Sequence, residues 1–233
     1  MASVKKSHRD KIYVPNSWYH VWNRGHSKLP VFRHACDYSE FLEIFRRHLD
    51  VRPSCDDRRR PYRNLHGEIA VAAYCLMPNH FHLVVRQAEA TDAIARLMRY
   101  TMIGYGRYFN RRYQRLGTLF QNRYCADRID DVRHLTHACS YVHLNHGDDP
   151  EYEYCSHRYF VDPVSAPSWL RPGLALEAIG GFDRYEKYIS ALAAERREQA
   201  EIKARQLTLD ALAGDLIARE RNRLRPSAPT HRI

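Results

Sequence analysis

Three features of the 233-residue chain predict an α+β sandwich with elements in the order βαββαβ, followed by a further helix. Strand-length runs of large and β-branched residues lie at Ser17 to Gly25 and on both sides of Met77-Pro78-Asn79. Longer segments after these runs repeat apolar residues at helical spacing. The longest almost purely apolar run, Ile69 to Met77, is far short of the roughly 20 residues of a membrane helix.

Each element has a local reason. In SWYHVWNRG, Ser17 to Gly25, large residues alternate until glycine ends the first strand. Asp37 or Ser39 can cap a first helix in which Phe41, Leu42, Phe45 and Leu49 recur on one face, up to Pro53. Residues 52–66, RPSCDDRRRPYRNLH, combine two prolines with Arg58, Arg59, Arg60 and Arg63 and read as a mobile, solvated basic loop. From Glu68, EIAVAAYCLMPNHFHLVVR reads as two strands broken by turn residues. A second helix from Thr91 to about Arg111 has Ile94, Leu97, Met98, Met102, Tyr105, Tyr108 and Phe109 on one face, and Arg96, Arg99, Arg107, Arg111 and Arg112 on its polar side. Gly117 opens TLFQNRYCADRI, a fourth strand, and Asp130 or Asp131 starts a third helix, DVRHLTHACSYVHLN. This order is the ferredoxin-like split βαβ, an antiparallel sheet with helices on one face.

The predicted organisation is a basic arm over 1–16, a main domain over 17–160, an irregular proline-rich connector over 161–181 and a charged helical extension over 182–233 that frays at its end. With 37 Lys and Arg against 27 Asp and Glu, the net charge of +10 suits a polyanionic partner. The first residues, MASVKKSHRD, lack the apolar region of a secretory signal, so a cytoplasmic location without membrane attachment is expected. The six cysteines form no C-x-x-C pair, which argues for free thiols and against a thiolate-rich zinc site.

The sharpest chemical feature is His80-Phe81-His82. Strand alternation puts both imidazoles on one face, about 7 Å apart, where they can share one divalent ion if a third ligand closes the site. In the third helix, 100° per residue gathers Val132, Leu135, Cys139 and Val142 on one side and His134, Tyr141 and Asn145 on the other. Tyr141 and Asn145 are thus neighbours: a phenol beside an amide oxygen able to ligate a hard cation, or, more plainly, a half-buried tyrosine and a helix cap.

Taken in order, Tyr19-His20-Val21 with Asn23-Arg24-Gly25, Met77 to His82, Gly117 to Tyr124, and Tyr141-Val142-His143-Leu144-Asn145 resemble the single-tyrosine HUH transposases. More narrowly, residues 12–160 resemble their REP-associated tyrosine transposase branch. The resemblance implies His80 and His82 as metal ligands, Asn145 as the third, Tyr141 as nucleophile and Mg²⁺ or Mn²⁺ as cofactor. It implies a single-strand DNA endonuclease and strand transferase that forms a 5′-phosphotyrosine link at hairpin-flanked DNA. Relatives commonly continue the tyrosine helix with Asn-Pro, whereas here His146-Gly147-Asp148-Asp149-Pro150 follows Asn145, so His143 or His146 stays open as an alternative ligand.

Aromatics interleaved with arginine suit single-stranded or hairpin DNA, because bases stack on rings while guanidiniums track phosphates. The candidates are Tyr100, Tyr105, Tyr108, Tyr113 and Tyr124, at least half of them expected in the core, with Arg107, Arg111, Arg112 and Arg123 as phosphate contacts. Family resemblance adds Lys5, Lys6, Arg9 and Lys11 of the arm for hairpin recognition. The assembly is read as a monomer or homodimer. Two other readings stand beside this one: a non-catalytic nucleic-acid-binding module on the same fold, and a metallonuclease in which Tyr141 only positions a water.

Overall fold

A computed structural model describes residues 13–147, 149 and 152–223. Strands β1 (Ser17–Arg24), β2 (Ile69–Met77), β3 (His80–Gln87) and β4 (Cys125–Ile129) form one sheet in the order β2-β3-β1-β4, with every neighbouring pair antiparallel. The helices are α1 (Ala35–Leu49), α2 (Ala93–Arg112), α3 (Val132–His143), the short α4 (Arg158–Val161), α5 (Pro172–Ile179) and α6 (Phe182–Arg223). The predicted order βαββαβ plus a further helix is the observed one.

Strand alternation divides the sheet into two faces. Tyr19, Val21, Phe81, Leu83 and Val85 pack in one core with Phe41, Phe45 of α1 and Leu97, Tyr105, Phe109 of α2. Val84, Cys75 and Ile129 pack in a second core with Leu135, Cys139 and Val142 of α3, Leu176 and Ile179 of α5, and Tyr185 and Ile189 at the start of α6. Thus α1 and α2 cover one face, as predicted for the βαββαβ unit, while α3 covers the other. In β2 the register shifts between Val71 and Ala73. This bulge changes parity, so Val71 and Tyr74 both face the first core, while Ala73 and Cys75 face the second.

Local chemistry adjusts several predicted boundaries. The α1 N-cap is His34 rather than Asp37 or Ser39. Asp37 sits one turn inside, where its carboxylate accepts the Arg33 and His34 N–H groups at 2.8 and 3.1 Å and the Tyr108 and Tyr113 hydroxyls at 3.1 and 2.7 Å. Burial alone would raise the Asp37 pKa, but these donors together hold it below the ordinary range. The helix ends at Leu49, short of Pro53. The arginine loop expected to be mobile carries a tight turn, where Asp56 accepts N–H groups of Arg58 and Arg60 beneath a Cys55–Pro61 bridge.

The fourth strand begins at Cys125, not just after Gly117, because residues before it are drawn into other bonds. Buried Asn23 donates to the Asn122 carbonyl at 3.0 Å, and Gly25 bridges Phe120. Gly25 is required there, since a Cβ would lie 2.1 Å from the Leu29 carbonyl oxygen. Asp131 caps α3 by accepting the His134 N–H at 2.8 Å. Val132, expected on the apolar side, is exposed at the first turn. Within 161–181, α5 buries Ala175, Leu176 and Ile179 before Gly180 ends it at φ 101°. The chain divides into a unit up to Ile189 and a second from Ser190, helical as far as Arg223. Among the described residues no helix is long and apolar enough to cross a membrane.

Burial lowers the imidazole pKa values of His48, His143 and His157 from the ordinary 6.5. Below that value the unfolded chain binds more protons than the folded one, so stability rises with pH there and is lost on acidification. With chelator present, the urea midpoint is expected to fall between about pH 7 and about pH 5, each fully suppressed imidazole adding at most about 1.4 kcal/mol per pH unit. A midpoint flat over that range would contradict neutral buried histidines.

Candidate active site

At one end of the sheet face towards α3, polar side chains come from its two central strands. β3 contributes His80 and His82, and β1 contributes His20 and Arg24, with Arg24 directly opposite His80 and His20 opposite Val84. Above them, α3 presents Tyr141, and the turn after it presents Asn145. The Tyr141 ring stands edge-on to His82 at 5.6 Å and to His20 at 5.8 Å between centroids. Asn145 Oδ1 lies 2.8 Å from His80 Nε2. The structure therefore brings His80, His82, Tyr141 and Asn145 into one place.

The hydrogen bonds behind the two imidazoles decide which nitrogens are open. Asn79 donates its amide N–H to the Lys28 carbonyl at 3.1 Å, which turns its oxygen towards His80 Nδ1 at 2.6 Å. An amide oxygen only accepts, so Nδ1 carries the proton, and neutral His80 offers a lone pair at Nε2. That lone pair faces the Asn145 oxygen, another acceptor. An Asn145 amide turned to donate its N–H, an imidazolium or a shared cation each reconciles the 2.8 Å contact, and burial with nearby Arg24 lowers the His80 pKa, although the Asn145 contact opposes this. His82 is occupied on the same side: its Nδ1 lies 2.9 Å from His20 Nε2, leaving its own Nε2 free.

Burial pushes His82 down to about 3, helped by His20, His80 and Arg24, and pushes His20 down to about 4 against the pull of Asp127. Both rings are neutral near pH 7, and with His82 donating its Nδ1–H to His20 Nε2 the lone pair left for a ligand is that of His82 Nε2. Among the described residues no three His, Cys, Asp or Glu side chains gather as a cation site. The donor set here is instead two imidazoles and an amide. Donors bound at about 2.1 Å in adjacent octahedral positions lie about 3 Å apart, which the His80–Asn145 separation matches.

A cavity of about 350 Å³ opens beside these rings, walled by His20, Trp22, His82, His134, His137 and Tyr141. The two alternative ligands point elsewhere. His143 is buried, with its nitrogens 2.6 Å from the Tyr185 hydroxyl and 2.8 Å from Ser156 Oγ. His146 stacks on Tyr152 at 5.2 Å.

The predicted DNA contacts are more scattered. Arg107, Arg111 and Arg112 are exposed on α2, which covers the opposite sheet face, and Arg112 pairs with Asp37 at 3.7 Å. Arg123 is exposed in the loop before β4. Of the aromatics, Tyr105 is fully buried, Tyr108 and Tyr113 serve Asp37, Tyr100 stacks on His48 at 4.6 Å, and Tyr124 accepts from Tyr13 at 2.8 Å. Lys5, Lys6, Arg9 and Lys11 lie outside the described residues. Sequence reasoning assigned no role to His20, Arg24 or His137. The alternation of His20, Trp22 and Arg24 within one strand was the available signal.

Known proteins add a partial likeness. No curated protein matches the chain. Among solved structures, a REP-associated tyrosine transposase bound to a REP hairpin is similar at 14% identity and a TM-score of 0.47, over 70% of this chain and 90% of that one. Residues 63–145 match the family described as "Transposase IS200 like". That segment holds His80, His82, Tyr141 and Asn145.

Proposed function

We propose that the chain is a metal-dependent single-strand DNA endonuclease and strand transferase that acts on hairpin-flanked, REP-like DNA through a 5′-phosphotyrosine link. One observation carries this reading: His80 Nε2, in contact with Asn145, and the imidazole of His82 lie on the sheet face that Tyr141 approaches from α3. The preference for REP-like hairpins rests on the sequence resemblance and on the basic arm.

His80, His82 and Asn145 are the residues that would hold Mg²⁺ or Mn²⁺, a choice that suits mixed nitrogen and oxygen donors. When bound, the ion supplies Lewis-acid polarisation of a non-bridging oxygen of the scissile phosphate. Asn79 and His20 hold the ligand imidazoles from behind, fixing tautomer and orientation. Arg24, exposed and opposite His80, adds positive charge for the same phosphate.

A phenol is a weak nucleophile until it gives up its proton, so Tyr141 depends on a phosphate whose charge is neutralised. Its oxygen attacks phosphorus in line, an O–P bond forms, and the bond to the 3′-oxygen breaks, leaving a free 3′-OH. The phosphotyrosine keeps the phosphodiester's energy. The 3′-OH of another end can therefore displace Tyr141 without a nucleotide cofactor.

Incubation of labelled single-stranded REP-like hairpins with Mn²⁺ is expected to give a covalent protein–DNA adduct that Tyr141→Phe abolishes. A product with a free 5′-phosphate and no protein attached would overturn this in favour of hydrolysis. Salt-sensitive binding with no cleavage would favour a binding module instead. For the supporting residues, His20→Ala is expected to weaken Mn²⁺ affinity about 10- to 100-fold by titration. Arg24→Ala should leave metal affinity near wild type while slowing adduct formation; equal behaviour of the two variants would contradict their separate roles.

A further inference from the structure

Cys75 and Cys155, which the proposed chemistry does not use, meet behind the site. They are partners in an isolated antiparallel bridge between β2 and the chain after α3. The backbone bonds flank the pair: the Leu76 N–H donates to the Tyr154 carbonyl and the Ser156 N–H to the Tyr74 carbonyl, both at 2.9 Å. That pattern defines a non-hydrogen-bonded pair, in which Cα atoms are about 4.5 Å apart and the side chains project together. Disulfides span Cα separations of about 4.4–6.8 Å, a range that takes in a pair of this kind.

Both thiols are buried, with the Cys75 thiol donating to Met77 Sδ and the Cys155 thiol to the His143 carbonyl, each at 3.8 Å. Cys36 and Cys55 are exposed, and Cys139 is buried on α3. Only small oxidants reach a pair so enclosed.

We propose that Cys75 and Cys155 form an oxidation site that hydrogen peroxide converts to a disulfide, tying β2 to the segment that follows α3. The Cys155 sulfur attacks a peroxide oxygen: an S–O bond forms, the O–O bond breaks and hydroxide leaves, giving a sulfenic acid. The Cys75 sulfur then attacks the Cys155 sulfur, the S–S bond forms, the S–O bond breaks, and the Cys75 proton leaves with the hydroxide as water. Two thiols lose two electrons and one peroxide becomes two waters. Cys75 lies opposite His82 in the sheet, and Cys155 Sγ lies 3.8 Å from the carbonyl oxygen of His143, the last residue of α3. The cross-link therefore fastens the strand beside β3 to the end of the helix that carries Tyr141.

The test uses the full chain with Cys36→Ser and Cys55→Ser, which removes the exposed thiols. After peroxide treatment near neutral pH, non-reducing peptide mapping should recover a Cys75–Cys155 linked peptide that dithiothreitol releases. The urea midpoint should rise on oxidation, revert on reduction, and stay unchanged when Cys155→Ser is added. Should that last variant fail to fold, the linked peptide of its parent decides alone. Absence of the link while Cys36 and Cys55 of the wild type oxidise, or its appearance only in unfolding urea, would overturn the proposal.

Discussion

The two-residue period of β3 is the constraint on which the rest depends. Phe81, Leu83 and Val85 enter the core beneath α1 and α2, so His80, His82 and Val84 must face α3. A slip of one residue would bury two imidazoles among phenylalanines and expose Phe81. Pairing with β1 then fixes what stands beside the imidazoles: His20 within hydrogen-bond reach of His82, and Arg24 across from His80. The β2 bulge lets the neighbouring strand satisfy both cores while keeping Cys75 on the side of α3. The large apolar residues thus set the register that orients the polar ones.

Burial gives the same face its electrostatic character. Removing imidazoles from water favours their neutral form, and neighbouring histidines and Arg24 push in the same direction. Neutral rings need donors or acceptors in defined places, and Asn79 and His20 supply them at Nδ1. What remains is a pair of Nε2 lone pairs and an amide oxygen converging below a tyrosine, with a cavity alongside. Metal-assisted attack on a phosphodiester uses each of these parts.

Much of this arrangement was legible in the sequence because it is local. The H-x-H strand and the i, i+4 pair Tyr141 and Asn145 follow from fixed periods, as does the alternation that sets His80 and His82 against Phe81, Leu83 and Val85; the second core under α3 was not foreseen, and of the two offered caps of α3 the structure uses Asp131. What depends on partners distant in sequence was not legible. The role of His20 requires the β1–β3 register, and the place of Arg107, Arg111 and Arg112 requires knowing that α2 and α3 cover opposite faces. Asp37 looks like a helix cap, but the tyrosines of α2 draw it one turn inside. The fourth strand starts late because Asn23, far back in the chain, claims the Asn122 carbonyl. His143 looked like a spare ligand until Tyr185 and Ser156 occupied both its nitrogens.

The most direct measurement is a crystal structure of the protein grown with Mn²⁺. One ion is expected within ligand distance of His80 Nε2, His82 Nε2 and the Asn145 amide oxygen, with the Tyr141 hydroxyl aimed at the same space. An ion bound elsewhere, or a Tyr141 hydroxyl turned into the core beside an ion that Asn145 does not touch, would contradict a phosphoryl-transfer site between β3 and α3.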